Sequence, residues 1–456
     1  MDCPNILVIV TDQLSARALG KDAHTPAIDR IRDHGVRAQG CFCQFPLCQP
    51  SRASMWSGVY PHKTEVLSNG KRWPVPTIPP SFPTLGNQLK AYGYHPVHFG
   101  KKHDAGALAG FACDAEAQET IPDADPRFPY NMDTYADAYT HRRAVEFLRS
   151  YQWEKPLCMI VDFINPHNIC GWVGKNKGIH DDPPGGSLPQ LPPNYRFDDI
   201  NNRSRSVQYI CCSHVRQSQT VGWTDTSFRW YLAAYNYYLE LADWYIQDVL
   251  GALDASGHGG ETMVLFTSDH GDNITARGQV TKQVNLYEEC VGVPFFACGP
   301  GIPCGVLPGL MESLDIAPTI LGLCGIPVPP EYDGLDLSEN LRNLKPIPRA
   351  FATSQWHTEW GFTVSPSRMI RTEEAKYIRY LEDGFEEYYD LVRDPYEMHN
   401  AAQDNPEAVK RMRCLLDGYV RSSGDPFWSL KSVVPETSRN HPVGYQCHKG
   451  LSAPEL

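Results

Sequence analysis

Close to its start the chain carries Asn5-Ile6-Leu7-Val8-Ile9-Val10-Thr11, an unbroken apolar and largely β-branched run that stops at Asp12. A strand with one wet face alternates apolar and polar residues. A run without alternation fits a strand buried on both faces, as in a parallel sheet covered by helices on either side. The pattern returns at Leu157–Phe163 and at Thr262–Ser268, which leads into Asp269-His270-Gly271, while His95–Phe99 is a shorter strand ending at Gly100-Lys101. Helical stretches alternate with these strands. Pro26–His34 has Thr25 as N-cap and Pro26 at its first position, and Tyr139–Ser150 is a second helix. In a third, from about Phe228 to Leu253, Tyr231, Tyr235, Tyr238, Ala242, Tyr245 and Val249 recur at helical spacing as a core stripe, and Gly257 ends it. The expectation is an α/β fold: a large, mixed, mostly parallel sheet sandwiched by helices.

Beyond the strand-and-helix region, Gly171–Arg205 is rich in Gly, Pro, Asn and Asp and reads as an irregular insertion. Pro327–Pro348 reads as a linker. Strand candidates at Ala350–Ser354, Arg368–Arg371, Lys376–Tyr380 and Glu387–Leu391, then a helix over Pro406–Tyr419, predict a small antiparallel sheet with a helix. Residues 1–345 are therefore assigned to a large α/β domain and residues 346–456 to a C-terminal α+β subdomain. The net charge of −12 argues against a general nucleic-acid binder. The longest apolar runs fall short of a membrane span, so no membrane partner is expected. No leader pattern opens the sequence as written, which reads as cytoplasmic, or as periplasmic or secreted if a signal has been removed. The 15 cysteines, among them the adjacent pair Cys211-Cys212, lack paired spacing and read mostly as reduced core thiols. The oligomeric state stays open.

Chemistry gathers at strand ends. In an open parallel sheet, ligands bind outside the carboxyl ends of the strands. Asp12-Gln13 and Asp269-His270 both stand there, and together offer two carboxylates, an amide oxygen and an imidazole. Calcium or magnesium suits the oxygens; manganese or zinc suits the histidine better. Either pair alone is as readily a turn or helix cap. Leu47-Cys48-Gln49-Pro50-Ser51-Arg52 places Cys48 just before a helix opened by Pro50, where amide dipoles favour an anion, with Arg52 one turn along. The plain alternative is a buried thiol ahead of a capped helix.

Cys48-Gln49-Pro50-Ser51-Arg52, followed by Met55 and Ser57-Gly58, resembles the type I sulfatase signature, with Ser57 where the family usually has Thr. Further segments follow in the family's order. Asn5–Gln13 resembles its opening strand and metal turn, Gly100-Lys101-Lys102-His103 its Gly-Lys-x-His motif, and Asn165-Pro166-His167 its Pro-His segment. Thr267–Gly271 resembles the second metal turn, with Lys282, Tyr287-Glu288-Glu289 and Val293-Pro294 resembling the stretch after it. Tyr389-Asp390-Leu391 through Asp394-Pro395 and Asn400 resembles its C-terminal signature. Motifs in one order are stronger evidence than any one of them. Gln13 departs from the Asp-Asp common in the first metal turn. Asp-Gln with Asp-His resembles subgroups acting on sugar sulfates, choline sulfate and phosphonate monoesters.

The resemblance implies the alkaline-phosphatase-like fold, a sulfuric ester hydrolase, and a formylglycine made from Cys48 by a maturation enzyme. It implies one divalent cation, most simply Ca2+ with Mg2+, Mn2+ or Zn2+ as alternatives, held by Asp12, Gln13, residue 48, Asp269 and His270. In the family the aldehyde hydrate attacks sulfur with one hydroxyl, and the second releases sulfate by collapse to the aldehyde. Carried across, Lys101 and His103 contact the diol, with His103 as base for collapse. His167 is the general acid at the leaving oxygen, Lys282 clamps sulfate oxygens, and Arg52 holds residue 48 or the sulfate region. Outside that resemblance each is as readily a structural histidine or a solvated basic residue, and Lys102 is left as structural. Asn69, Trp172 and His357 are substrate-contact candidates; Trp172 equally suits core packing. Trp356, His357, Glu359 and Trp360 suit pyranose recognition or a subunit interface. The leading expectation is a carbohydrate sulfatase acting on a sulfated saccharide, such as one derived from a glycosaminoglycan. A phosphonate monoester or phosphodiester hydrolase, a choline sulfatase and a non-catalytic glycan-binding relative are the alternatives.

Overall fold

A computed structural model describes residues 3–430 apart from segments 70–76, 115–119, 122–133, 136, 177–186, 197–201, 205–206, 208–219, 283–284, 360–361 and 382–383. The strands of the main sheet are β1 (Asn5–Asp12), β2 (Val36–Phe42), β3 (His95–Gly100), β4 (Ala112–Cys113), β5 (Leu157–Pro166), β6 (Thr262–Ser268), β7 (Phe295–Cys298) and β8 (Gly305–Glu312). They lie in the order β8-β2-β7-β6-β1-β5-β3-β4, with the two-residue strand Gly292–Val293 beside β2. β1 sits between β5 and β6 and runs parallel to both, with Val8 flanked by Ile160 and Leu265. β3 is parallel to β5, and β7 runs antiparallel to its neighbours β6 and β2.

The unbroken apolar run of β1 has a direct cause. Ile6, Val8 and Val10 enter one core, while Leu7 and Ile9 enter the other. The first core is closed by α2 (Cys48–Ser57) and α6 (Ile316–Leu323). The second is closed by α1 (Pro26–Asp33), α3 (Asp137–Ser150), α4 (Ile169–Lys175) and the 31-residue α5 (Asp225–Ala255). Every member of the predicted tyrosine stripe on α5 is buried. Thr25 stands at the N-cap of α1 but makes no side-chain cap bond.

A second sheet runs β9 (Ala352–Glu359), β10 (Phe362–Arg371), β11 (Ala375–Tyr380) and β12 (Glu386–Asp390), all antiparallel. One face packs Ile370 and Tyr377 on α7 (Pro406–Ser423) through Val409, Met412 and Leu416. The other face sends Trp356, Met369 and Ile378 into the core beneath the main sheet. The small sheet is thus packed onto the large one. Pro327–Pro348 is not a loose linker: Leu337 and Leu341 are buried, and Ser338–Asn343 is helical. The cysteines among the described residues are free thiols; Cys211, Cys212 and Trp360 lie outside those residues, as does the side chain of Glu359. No helix among the described residues is long and apolar enough to cross a membrane.

Because β1, β3, β5 and β6 are parallel, their carboxyl ends open on one rim. That rim carries Asp12, Lys101, His167, Asp269 and His270. Gly100 makes the exit from β3 possible. Its φ is 95°, and a Cβ there would lie 2.0 Å from the Asp162 carbonyl oxygen, so only glycine fits.

Candidate active site

Asp12, Cys48, Asp269 and His270 are fully buried, and one ligand atom from each lies within 4.8 Å of all the others. Cys48 is the first residue of α2, two residues before the Pro50 start that the sequence suggests, with Leu47 as N-cap. Its Sγ stands 3.2 Å from His270 Nε2 and 3.7 Å from Asp12 Oδ1. His270 Nδ1 lies 2.9 Å from the Gly271 carbonyl oxygen. That bond places a proton on Nδ1 and turns Nε2 toward the cluster, the orientation of a metal-ligating imidazole.

Arg52 is the organiser of the two carboxylates. Its Nε donates to Asp269 Oδ2 at 2.9 Å, one terminal nitrogen donates to Asp12 Oδ2 at 3.1 Å, and the other donates to Asp162 and, at 3.3 Å, to the Lys101 carbonyl. The fixed fork of the guanidinium turns one oxygen of each aspartate toward the centre. Asp269 Oδ1 also accepts the Gln13 and His270 backbone N–H groups at 3.0 and 2.8 Å. Gln13 adopts φ 70°, a strained left-handed conformation for a side-chain-bearing residue, held by that bond and by Tyr235 Oη donating to its carbonyl at 2.7 Å.

Two lysines and two further imidazoles surround the thiol. Lys282 Nζ lies 3.1 Å from Cys48 Sγ and donates to Gln13 Oε1 at 2.9 Å, and Lys101 Nζ donates to Asp12 Oδ2. His103 and His167 also act on the Cys48 side chain, and His167 Nε2 stands 4.0 Å from Asp12 Oδ1. Burial alone would raise the thiol, yet Lys101, Lys282 and His270 together drive it well below its ordinary value. Burial and the Asp12 charge push Asp269 up to about 6, against His270 and Arg52. Desolvation and Lys282 lower His167 to about 4. The site thus favours an anion at position 48, and burial leaves one carboxylate short of positive charge.

The donor set fits a divalent cation. Two carboxylates, an imidazole presenting Nε2, and the side chain at position 48 converge, and the backing bonds fix them there. Gln13 is placed differently from the other expected ligands: its Nε2 donates to Asp272 Oδ2 at 2.6 Å, and its Oε1 accepts from Lys282.

The other substrate candidates separate. Trp172 is 1 % exposed and packs edge-on against Trp223 and Tyr231, so its face is closed to a sugar and the stacking expectation is corrected to core packing. Asn69 Oδ1 accepts the Gln49 backbone N–H at 3.1 Å, one residue from Cys48. His357 is part-buried on β9, in a cleft with His62 and Arg368. Trp356 is buried, against Phe45. Sequence reasoning missed Asp162, which anchors Arg52, and Asp272, which anchors Gln13 and takes the Tyr231 hydroxyl at 2.8 Å. The signal was there in the α5 stripe. A buried tyrosine in place of phenylalanine needs a partner for its hydroxyl, and Tyr231 and Tyr235 find theirs under the site.

Comparison with known proteins bears on this arrangement directly. The sulfatase family profile matches residues 4–326, and the profile of the N-sulphoglucosamine sulphohydrolase C-terminal region matches residues 279–417. The chain is 40 % identical to the Delta 4,5-hexuronate-2-O-sulfatase of Bacteroides thetaiotaomicron over 99 % of this chain and 96 % of that one. A choline-sulfatase of Rhizobium meliloti is 26 % identical, covering 96 % and 92 % of the two chains. Among solved structures, a 2-O GAG sulfatase superposes with a TM-score of 0.92 at 38 % identity over 99 % of each chain. A phosphonate monoester hydrolase from Silicibacter pomeroyi, at TM-score 0.74 and 20 % identity over 95 % and 98 %, shares the fold. A cysteine at a helix start, facing paired strand-end aspartates on a scaffold matched from end to end, leaves one assignment: this chain belongs to the sulfatase family.

Proposed function

We propose that the protein hydrolyses a sulfate monoester on an acidic saccharide, of the hexuronate 2-O-sulfate type on which its Bacteroides relative is named to act. The observation that carries the reading is the placement of Cys48 Sγ among Asp12, Asp269, His270 and Lys282 at the start of α2. A sulfate ester needs an in-line nucleophile, positive charge on its equatorial oxygens, and a proton for the leaving alkoxide. The residues supply each part.

Residue 48, as formylglycine made by a maturation enzyme, is the nucleophilic position, and a divalent cation, calcium by preference, would polarise the ester and the hydrated aldehyde from the set Asp12, Asp269 and His270. Gln13 Oε1 is a further ligand candidate that first has to release Lys282. Lys282, against residue 48, and Lys101, against Asp12, balance charge on the transferred sulfuryl oxygens. Arg52 keeps both aspartates aimed and takes no part in bond changes. His103 holds a proton at residue 48. His167, at the mouth of the site and part-exposed, holds the proton at the leaving oxygen. An anionic ester beside it works against the burial and the Lys282 charge that otherwise keep the imidazole neutral.

Mass spectrometry of the peptide spanning residue 48, on protein from its native host, tests the modification: an aldehyde mass is expected. Sulfate release from 2-O-sulfated hexuronates, run beside choline sulfate and an aryl phosphonate, tests the substrate class. Preference for either of the latter two would overturn it.

A further inference from the structure

Arg52 reaches three buried carboxylates, Asp12, Asp162 and Asp269, and two of these are metal-ligand candidates. The third, Asp162 on β5, is fully buried. Its Oδ2 accepts from Arg52, and its Oδ1 has no hydrogen-bond partner among the described residues. A buried carboxylate left partly unmatched competes for the guanidinium that aims the other two.

Strand register sets a histidine against it. His98 on β3 is paired with Ile160 on β5, and Asp162 stands two residues along, on the same face of the sheet. The His98 ring is fully buried, and its Nε2 lies 3.9 Å from Asp162 Oδ2. Neither ring nitrogen has a hydrogen-bond partner at closer range among the described residues. Cys113 is the register partner of His98 on β4. A neutral ring buried in this way leaves its donor and its acceptor unmatched and does nothing for Asp162. A protonated ring meets the carboxylate with charge. Burial alone would lower the imidazole, but Asp162, with Cys113, raises it to about 9.

We propose that His98 is a positioning residue of the reaction, standing as an imidazolium that offsets Asp162 and so leaves Arg52 to hold Asp12 and Asp269 toward the metal position. Fully buried, it acts through Asp162 and Arg52 rather than on substrate. With the ring charge removed, Asp162 draws more strongly on Arg52. The two other aspartates then lose part of the fork that turns one oxygen of each to the centre. The inference deepens the sulfatase reading above, so ring charge and metal binding are measured without substrate.

In nitrogen NMR of the histidine-labelled, formylglycine-bearing protein near neutral pH, the ring signal that disappears in His98→Gln is expected to be that of a doubly protonated imidazole. In calorimetric titration with calcium, His98→Leu should bind the ion at least about tenfold more weakly, and kcat on a 2-O-sulfated hexuronate should fall with it. In an Asp162→Asn background the same substitution should cost less than about twofold, because no charge is left to offset; a packing role would cost as much in both backgrounds. His98→Gln carries the same comparison where the leucine variant fails to fold. A neutral ring signal, unchanged calcium binding in the single variants, or equal losses in the two backgrounds would overturn the proposal. The expected ring signal and calcium losses, with no sulfate released from the hexuronate, would keep the role of His98 and remove the substrate reading.

Discussion

The protein buries two clusters of charge, and they are built on opposite plans. At the junction with the small sheet, Glu289 is held by Arg17 and Arg277 at 2.9 Å each, Glu288 by Lys376 at 2.8 Å and Arg371 at 3.6 Å, and Glu397 by Lys376 at 2.8 Å. Burial pushes these carboxyls up, but the cations outweigh it and hold Glu288 and Glu289 at about 2. At the strand ends, by contrast, one Arg52 is divided among Asp12, Asp162 and Asp269, Lys101 adds a cation at Asp12, and burial with the Asp12 charge lifts Asp269 to about 6. The first cluster is closed, with a cation for each carboxylate named. The second shares its cations unevenly, leaving Asp269 raised while Lys101 and Lys282 favour an anion at the thiol. Buried charge is retained for assembly in one place and for chemistry in the other.

The largest test of that contrast is at position 48. Cys48→Ala should lower sulfate release by at least about 10⁴-fold. The circular dichroism spectrum and melting behaviour should stay close to wild type, because the side chain removed belongs to the open cluster. Residual activity near wild type would remove residue 48 from the mechanism.

The closed cluster should answer the other way. Glu289→Gln leaves Arg17 and Arg277 without their shared partner, and breaking a buried pair costs about 3–5 kcal/mol. Denaturant unfolding should show that loss. The sign of its pH dependence is fixed. A carboxyl held at about 2 stabilises fully above its ordinary value and loses that contribution as pH falls toward 2. Wild-type stability should therefore drop across that acid range, and the variant, already lacking the pair, should drop less steeply. Equal slopes would mean that Glu289 is not held down as described.

Metal removal separates the clusters further. If the strand-end set holds a cation only when folded, saturating calcium should stabilise the formylglycine-bearing protein by about 2–3 kcal/mol, with chelator reversing it. Asp269→Asn should abolish that increment. Glu289→Gln should keep it, since its losses lie in the other cluster. A calcium increment surviving in Asp269→Asn would place the ion elsewhere.

The open cluster was far more legible in the sequence than the closed one, and the reason is physical. Asp12 and Asp269-His270 each follow an apolar run that only a doubly buried strand explains, so their position at the sheet rim could be read directly. Cys48 was singled out by the resemblance of Cys48–Arg52 to the sulfatase signature; its helix start alone fits a buried thiol as well. The junction network joins Arg17, Arg277, Glu288, Glu289, Lys376 and Glu397, which no local periodicity relates; only the packing of the small sheet brings them together. Four strands of the main sheet also escaped, β2, β4, β7 and β8. β2 alternates buried and open positions through Val36-Arg37-Ala38-Gln39-Gly40, and β8 contains Pro308 and Gly309, so neither resembles β1. The stretch 327–348 misled in the opposite direction. Its prolines suggested a linker, while Tyr332, Leu337, Leu341 and Ile347 anchor it in the core.

The smallest expected effect bears on how the open cluster is held. Asn69 has the look of a substrate contact in the sequence, but its Oδ1 takes the Gln49 N–H in the first turn of α2, where no side-chain cap from Leu47 is available. A lost cap of this kind costs about 1 kcal/mol. Asn69→Ala should therefore lower stability by about that amount and loosen the start of the helix that carries residue 48. Mispositioning a nucleophile lowers kcat with little change in KM, whereas removing a substrate contact raises KM. A fall in kcat of severalfold at constant KM, with Asn69→Asp recovering most of it through the retained acceptor, is the expected result. A rise in KM at unchanged kcat and stability would make Asn69 a substrate ligand after all and leave the helix start to hold itself.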